Sequence, residues 1–128
     1  MILASILAAS ALSGASCRAV DGDTLRCGAE RIRLSGIDAP ELPGHCARRR
    51  ACAPGDPHAS KAALARLMRG RAITLRRLGT DHYGRTLALV YADGVNLSCA
   101  QLRAGHAVHV AKWDDGGLLR RECVLTRK

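Results

Sequence analysis

The chain has 128 residues, a formal net charge of +9 and a sequence pI of about 10.0. This length leaves room for one domain, which can bury a core of its own. Aromatic residues make up only 2% of the chain and Phe is absent, which argues against nucleic-acid binding by base stacking alone. The basic charge favours polyanions such as nucleic acid or anionic lipid, and it does not choose between them.

The first 15 residues carry no charge. They are mostly Ala, Leu, Ile and Ser, and they end in Ser13-Gly14-Ala15, which suits cleavage of a signal peptide after Ala15. The segment is too short to span a bilayer as a helix. We therefore expect 1–15 to be a signal peptide and the mature protein to be secreted or periplasmic, without stable membrane insertion. Because no Lys or Arg follows Met1, a buried N-terminal helix is the alternative.

Six cysteines behind an export signal predict disulfides rather than free thiols. We expect Cys46 to pair with Cys52, closing a loop, and Cys17 with Cys27, joining two neighbouring strands. A zinc site is the alternative, although the spacing in sequence between the two cysteines of the loop exceeds the usual spacing of zinc ligands. No Cys-x-x-Cys motif occurs, which argues against redox exchange. The zinc ligands would be His45, Cys46, Cys52 and His58.

The segment Cys17–Leu34 has the alternating pattern of a β-hairpin that turns at Gly28-Ala29. Leu25 and Cys27 lie on one face before the turn. After it, Ile32 and Leu34 are expected to point inward, and this places Arg31 and Arg33 on the opposite face of the same sheet.

A helix with clear end signals follows a loop predicted from Leu42 to Asp56, which contains two Pro-Gly pairs and the basic run at 48–50. Asp56 can cap this helix, Pro57 suits its first position, and Gly70 can end it in a left-handed conformation. Its apolar stripe consists of Ala63, Leu64, Leu67 and Met68.

Two more strands are predicted, over Arg71–Leu75 and Thr86–Tyr91. The second turns at Asp93-Gly94 and returns through Val95 and Leu97.

A second helix is predicted from Ser98 to Ala104, ending at Gly105. After Val110 the pattern fades, and Lys112–Lys128 is either a frayed tail or a short helix pinned by Cys123. Strands interrupted by one long helix and followed by another indicate an α+β domain, for which a small, partly open barrel is a candidate.

Three short segments, 21–24, 33–41 and 81–85, carry acids and bases at predicted strand ends or turns. Cleaving a phosphodiester requires a positioned water, a base for its proton, and positive charge around the phosphoryl oxygens. The carboxylates of Asp23, Asp38 and Glu41 can supply a base and two ligands for a hard divalent cation. Arg33 and Arg85 have planar charged groups that match phosphate bidentately.

The same segments resemble the thermonuclease (staphylococcal nuclease-like) family. They match its Asp-Gly-Asp-Thr turn, its Arg-Leu-x-Gly-Ile-Asp-x-Pro-Glu stretch and its Asp-x-Tyr-Gly-Arg turn, in the same order. The resemblance covers roughly Cys17 to Val110, which gives a nuclease-like domain at 16–110 and a C-terminal tail at 111–128. It implies a five-stranded Greek-key OB-fold barrel with two to three packed helices.

The resemblance also implies a role for each matching residue. Asp23 and Asp38 would bind calcium, together with the backbone carbonyl of Ala39. Glu41 would position or deprotonate the attacking water. The remaining assignments are Arg33 and Arg85 as clamps on the scissile phosphate, and Tyr83 and His82 as substrate contacts.

The function implied is that of a secreted, monomeric, calcium-dependent endonuclease that leaves 3′-phosphate ends on DNA or RNA. A non-catalytic OB-fold module that binds nucleic acid is the alternative. Two positions depart from the best-known family member, since Ala39 stands in place of Thr and His82 in place of Lys. The family's C-terminal helix has no convincing counterpart after Val110, where Gly116-Gly117 interrupts the pattern.

Overall fold

A computed structural model describes residues 10–12, 16–44, 46 and 51–125 of the chain. The basic run at 48–50 and His45 lie outside the described residues. Within them, the helices are α1 (Pro57–Met68), α2 (Leu97–Arg103) and α3 (Leu118–Leu125). The strands are β1 (Ser10–Leu12), β2 (Cys17–Asp21), β3 (Thr24–Cys27), β4 (Glu30–Leu34), β5 (Ile37–Asp38), β6 (Ile73–Thr80), β7 (Thr86–Ala92), β8 (Val95–Asn96) and β9 (Val108–His109).

The strands form one mixed sheet and one separate pair. Strands β2, β3 and β4 make an antiparallel meander, β4 pairs in parallel with β7, and β7 pairs antiparallel with β6. The order across the sheet is β1-β6-β7-β4-β3-β2, with β8 on β7, while β5 pairs with β9. The predicted α+β class is confirmed, and the layout is consistent with an OB-fold. In the described part of the chain no strand pairing closes the barrel between β1 and β2.

The meander matches the predicted pattern. Ile32 and Leu34 are fully buried, while Arg31, on the other face, is exposed. Cys17 lies directly opposite Cys27 across β2 and β3 and is joined to it by the expected disulfide. The turn at Gly28-Ala29 forms as predicted, with Gly28 at a φ of +60°. The sheet therefore has a buried face and an arginine-bearing face.

Helix α1 also has the predicted ends. The Asp56 carboxylate accepts hydrogen bonds from the backbone N–H groups of His58 and Ala59, and Gly70 lies just beyond the helix at a φ of +71°. Helix α2 begins at Leu97, one residue earlier than predicted, because the Asn96 side chain caps it by accepting from the Cys99 N–H. Leu97 was predicted in a strand, and that prediction is wrong.

Strand β6 is longer than the sequence pattern predicted. The expected strand ended at Leu75, whereas β6 runs to Thr80. Its second half is exposed throughout, including Leu78, so alternating burial gives no signal there. Continuous pairing with β7, up to the Thr80–Thr86 pair, keeps it extended.

The segment after Val110 contains a helix, one of the two possibilities that the sequence left open. Two short 3₁₀ turns, Ala111–Trp113 and Asp115–Gly117, lead into α3. Asp114 explains why α3 forms behind two glycines. Its carboxylate accepts from the N–H groups of Leu119 and Arg120 and so caps the helix.

Helix α3 packs against the rest of the domain. Leu119 is fully buried, and a Cβ atom added at Gly36 would lie 2.7 Å from its Cδ2. Cys123 forms a disulfide with Cys99 of α2. Helix α3 therefore lies in the segment after Val110, where the sequence pattern showed no convincing counterpart of the family's C-terminal helix.

Most of the predicted signal segment lies outside the described residues. Its part Ser10–Leu12 forms β1 and pairs with Leu75–Ile73 of β6. Cleavage after Ala15 stays a prediction, and it would remove this pairing partner from the edge of β6. None of the described helices is both long and apolar enough to span a membrane.

We expect Asp114→Asn to destabilise the domain in a pH-dependent way. Burial opposes ionisation of Asp114, but hydrogen bonds from His109 and from the N–H groups of α3 lower the pKa of its carboxyl below 3.8. Its stabilisation is therefore present above pH 3.8 and is lost as the pH falls through the folded-state pKa. Thermal unfolding should show a deficit of roughly 1–2 kcal/mol at neutral pH that closes in acid.

The exposed neighbour serves as a control, since Asp115→Asn should leave the stability unchanged. A deficit for Asp114→Asn that is constant across the pH range would contradict a charge-dependent cap.

Candidate active site

Arg33 links two acidic segments that are distant in sequence. Its Nη1 lies 3.3 Å from Asp23 Oδ2, and its Nη2 lies 3.7 Å from Asp38 Oδ1. Nη1 also donates hydrogen bonds to the carbonyls of Leu34 and Ile37, at 3.1 and 2.9 Å. The Arg33 side chain is 10% exposed, so these groups compensate a nearly buried charge.

The strand register explains why Asp23 meets Arg33. Thr24, the first residue of β3, lies opposite Arg33 of β4, so the preceding turn ends beside the guanidinium. The Leu34 N–H donates to the Asp23 carbonyl at 2.8 Å. Local pairing therefore brings the first two sequence motifs together.

The Asp23 carboxylate is held by two further donors. The Thr24 hydroxyl donates to Oδ1 at 3.0 Å, and the Ala39 N–H donates to Oδ2 at 2.8 Å. The second bond joins the β2–β3 turn to the end of β5, which brings Asp23, Asp38 and Ala39 together. The backbone of Ala39 thus lies beside the two predicted metal-binding aspartates.

Asp21 is a buried member of this cluster to which the sequence motifs assigned no role. It is 8% exposed. Burial, and then the neighbouring Asp23 carboxylate, raises the pKa of Asp21 to about 6. The signal that could have singled it out is its position at the start of the same Asp-Gly-Asp turn.

Gln101 fixes this acidic turn from the opposite side. Its fully buried Nε2 donates to the carbonyls of Gly22 and Ser60, at 2.8 and 3.0 Å. A Cβ atom at Gly22 would lie 1.8 Å from Ser60 Oγ, so only glycine fits between the two aspartates. Nothing in the local sequence distinguishes Gln101 from a solvent-facing helical glutamine.

The arginine-bearing face of the sheet opens into a cleft of about 850 Å³. Five of the predicted site residues line it: Arg33, Glu41, His82, Tyr83 and Arg85. The aspartates 23 and 38 are not among the lining residues and contact it through Arg33. Residues of the second and third motifs therefore line this cleft, and the first motif reaches it only through the contact of Asp23 with Arg33.

The turn between β6 and β7 shapes one wall of the cleft. Asp81 Oδ2 lies 2.8 Å from Arg85 Nε, and the Arg85 guanidinium lies over the Tyr83 ring, 5.4 Å from its centroid. Burial opposes ionisation of Asp81, but hydrogen bonds from the backbone and side chain of Arg85 lower the pKa of its carboxyl. Arg31 donates from Nη2 to the Tyr83 carbonyl, which ties the turn to β4.

Trp113 closes another side of the cleft and was not predicted as a site residue. The Arg33 guanidinium carbon lies 5.4 Å from the centroid of its ring, and the side chain is partly exposed. Trp113 is the sole tryptophan of the chain, but it lies in the segment that the sequence pattern left unassigned. No signal in the sequence places Trp113 beside Arg33, because the contact forms only in the fold.

The donor chemistry of the cluster fits a hard divalent cation. Asp21, Asp23 and Asp38 are 8%, 3% and 5% exposed, and Arg33 is the cation that the structure places between the last two. Carboxylate oxygens are ligands that calcium prefers. Burial, and after it the neighbouring Asp23 carboxylate, raises the pKa of Asp21.

The alternative of a zinc site that uses Cys46 and Cys52 as ligands is wrong. Cys46 and Cys52 form the predicted disulfide and therefore offer no thiolates. With the Cys17–Cys27 and Cys99–Cys123 bonds, no cysteine is free.

Comparison with known proteins agrees with the geometry. A sequence model of the family described as "Staphylococcal nuclease homologue" matches residues 31–123. An uncharacterized endonuclease of Haemophilus influenzae is 33% identical over 115 residues, covering 84% of this chain and 59% of that protein. An uncharacterized endonuclease of Escherichia coli O157:H7 is 36% identical over 101 residues, covering 75% and 60%.

A probable staphylococcal-like nuclease of Oryza sativa subsp. japonica is 34% identical over 84 residues, covering 66% of this chain and 22% of that protein. The chain spans about three fifths of the length of the two bacterial relatives.

We expect Gln101→Met to loosen the acidic turn. The substitution keeps the side-chain volume but leaves the Gly22 and Ser60 carbonyls without their buried donor, which should lower the free energy of unfolding by about 1–3 kcal/mol. Urea unfolding measures the change. Gln101→Glu should be at least as damaging, because a carboxylate would face two carbonyl oxygens. Wild-type stability in both variants would contradict the stabilising role of the Gln101 hydrogen bonds.

Proposed function

The chain belongs to the staphylococcal nuclease homologue family, and from that premise we propose that it is a calcium-dependent endonuclease that hydrolyses DNA and RNA to products with 3′-phosphate ends. One observation carries the proposal. Arg33 is bound to two aspartates and also lines a single cleft with Glu41 and Arg85. Phosphodiester hydrolysis needs these three chemistries, a cation site, a base and paired phosphate ligands, within reach of one phosphate.

Arg33 and Arg85 are proposed as the phosphate clamp. Both are pre-oriented, Arg33 by Asp23 and Asp38 and Arg85 by Asp81. A fixed guanidinium loses little entropy when it binds, and it can stabilise the negative charge that develops on the phosphoryl oxygens. The two arginines then act on the transition state more strongly than on the bound substrate.

Glu41 is proposed to hold and deprotonate the attacking water. It lines the cleft and is half-buried, so its carboxylate can face the scissile phosphate. The water oxygen bonds to phosphorus, its proton passes to Glu41, and the bond from phosphorus to the 5′-oxygen breaks. The departing 5′-oxygen takes up a proton, and the phosphate stays on the 3′-oxygen.

Asp23, Asp38 and the backbone carbonyl of Ala39 are proposed as the protein ligands of calcium. When bound there, calcium supplies positive charge next to the phosphate oxygens. Asp21, buried beside Asp23, adds negative charge that favours a divalent cation at this position.

Tyr83 and His82 are proposed as substrate contacts at the mouth of the cleft. Tyr83 is 59% exposed and its ring lies against that of His82, with centroids 4.0 Å apart. The net charge of +9 would attract a polyanionic chain to this cleft. We further propose a secreted or periplasmic monomer, because its three disulfides suit an oxidising compartment.

The proposal predicts that purified protein degrades DNA when calcium is present and stops when a chelator is added. Arg85→Ala should lower kcat by about 100-fold or more, because one fixed ligand of the transition-state charge is lost. Asp23→Ala should lower it similarly by disrupting the metal site. A gel assay with a DNA fragment measures both.

Arg77→Ala is the matched control, since Arg77 pairs with Glu30 and does not line the cleft. It should cleave at close to the wild-type rate. Retained activity in both Arg85→Ala and Asp23→Ala would refute the assigned roles. Tight, salt-dependent binding of DNA that stays intact with calcium would favour the non-catalytic binding module instead.

A further inference from the structure

The loop that follows Glu41 is closed by the Cys46–Cys52 disulfide. One carboxylate oxygen of Glu41 and the two sulfur atoms lie within 4.8 Å of one another. The bond joins residues six positions apart, with Cα atoms separated by 6.2 Å. This disulfide is therefore in the immediate surroundings of a cleft residue.

The described part of this loop lies outside regular secondary structure. Between 41 and 55 none of the described residues belongs to a helix or strand, and none is buried. Pro40, just before Glu41, is by contrast buried. The chain thus leaves the core at Glu41 and returns to regular structure only at α1.

The far end of the loop also returns to the base of Glu41. Gly55 has a φ of +121°, and a Cβ atom there would lie 3.0 Å from Pro40 Cγ. The loop is thus held at two points, by the disulfide beside the Glu41 carboxylate and by the packing of Gly55 on Pro40. The first point lies beside the Glu41 carboxylate in space, and the second lies on Pro40, the residue before Glu41.

We propose that the Cys46–Cys52 disulfide is a positioning element for Glu41, which fixes the carboxylate against the cleft and thereby sets the rate of hydrolysis. The inference rests on the proposed function. A carboxylate on an exposed loop samples many positions, and a misplacement of about 1 Å in a catalytic group can cost about 100-fold in rate. A covalent closure next to the carboxylate restricts this sampling.

The test is the double variant Cys46→Ser/Cys52→Ser, assayed on DNA with saturating calcium. We expect kcat to fall by about 10-fold or more. Calcium affinity, measured by calorimetry without substrate, should stay within about 2-fold of wild type, because Arg33 contacts both Asp23 and Asp38 and is unchanged in this variant. The melting temperature reports whether the variant is folded.

Cys17→Ser/Cys27→Ser is the matched control. It removes a disulfide from the end of the β2–β3 pair that lies away from the Asp21–Asp23 turn. It should lower thermal stability while keeping kcat near wild type. An equal fall in kcat for both double variants would overturn the inference, because the loss would then follow from general destabilisation.

The most specific test asks whether the effects of removing the disulfide and of replacing Glu41 add up in kcat. In a Glu41→Gln background, removing the Cys46–Cys52 bond should cause no further loss of kcat, because the group that it positions is gone. The same fold loss in both backgrounds would show that the disulfide acts elsewhere, and it would overturn the proposal.

A second variant leaves the disulfide intact. Gly55→Ala strains the other attachment point and should lower kcat in the same direction. Wild-type kcat in both the cysteine variant and Gly55→Ala would refute the inference while leaving the nuclease proposal standing. Wild-type protein without any nuclease activity would refute both.

Discussion

The buried contact of Arg33 with Asp23 and Asp38 is the constraint on which the rest of the site depends. The Arg33 side chain is 10% exposed, so its charge must be compensated, and the two carboxylates that compensate it come from the β2–β3 turn and from β5. Removing either partner would leave a nearly buried charge without one of its ion pairs. The same contact places a carboxylate oxygen of each aspartate beside one guanidinium.

Strand β4, which carries Arg33, lies between two strands that run in opposite directions to each other. On one side β3 places the acidic turn next to Arg33, and on the other β7 runs parallel and begins just after the turn that carries Arg85. One strand of the sheet thus connects the acidic cluster with the second arginine. Helix α2 then secures the acidic turn through the buried amide of Gln101.

Features encoded by local chemistry were predictable from the sequence. The ends of α1 follow from Asp56, Pro57 and Gly70, and the two faces of β4 follow from simple alternation. The three motifs were expected to meet; the structure places residues of the second and third in one cleft and connects the first to it through Arg33, and the individual roles stay proposals.

Features that depend on distant partners were not predictable. The exposed half of β6 is a strand only because β7 pairs with it. Helix α3 needs the Asp114 cap, which a double glycine obscures in the sequence. Gln101 contacts Gly22, and Trp113 contacts Arg33, only because α2 and the first 3₁₀ turn pack beside the sheet.

The most direct test of the account is the single-turnover rate of DNA cleavage by Arg33→Lys. Lysine keeps the positive charge, but it cannot contact two carboxylates and a phosphate at the same time with a planar group. The account predicts a fall of about 100-fold or more in the cleavage rate at saturating calcium. A rate within a few-fold of wild type would show that a simple positive charge suffices, and it would contradict the central role given to this guanidinium.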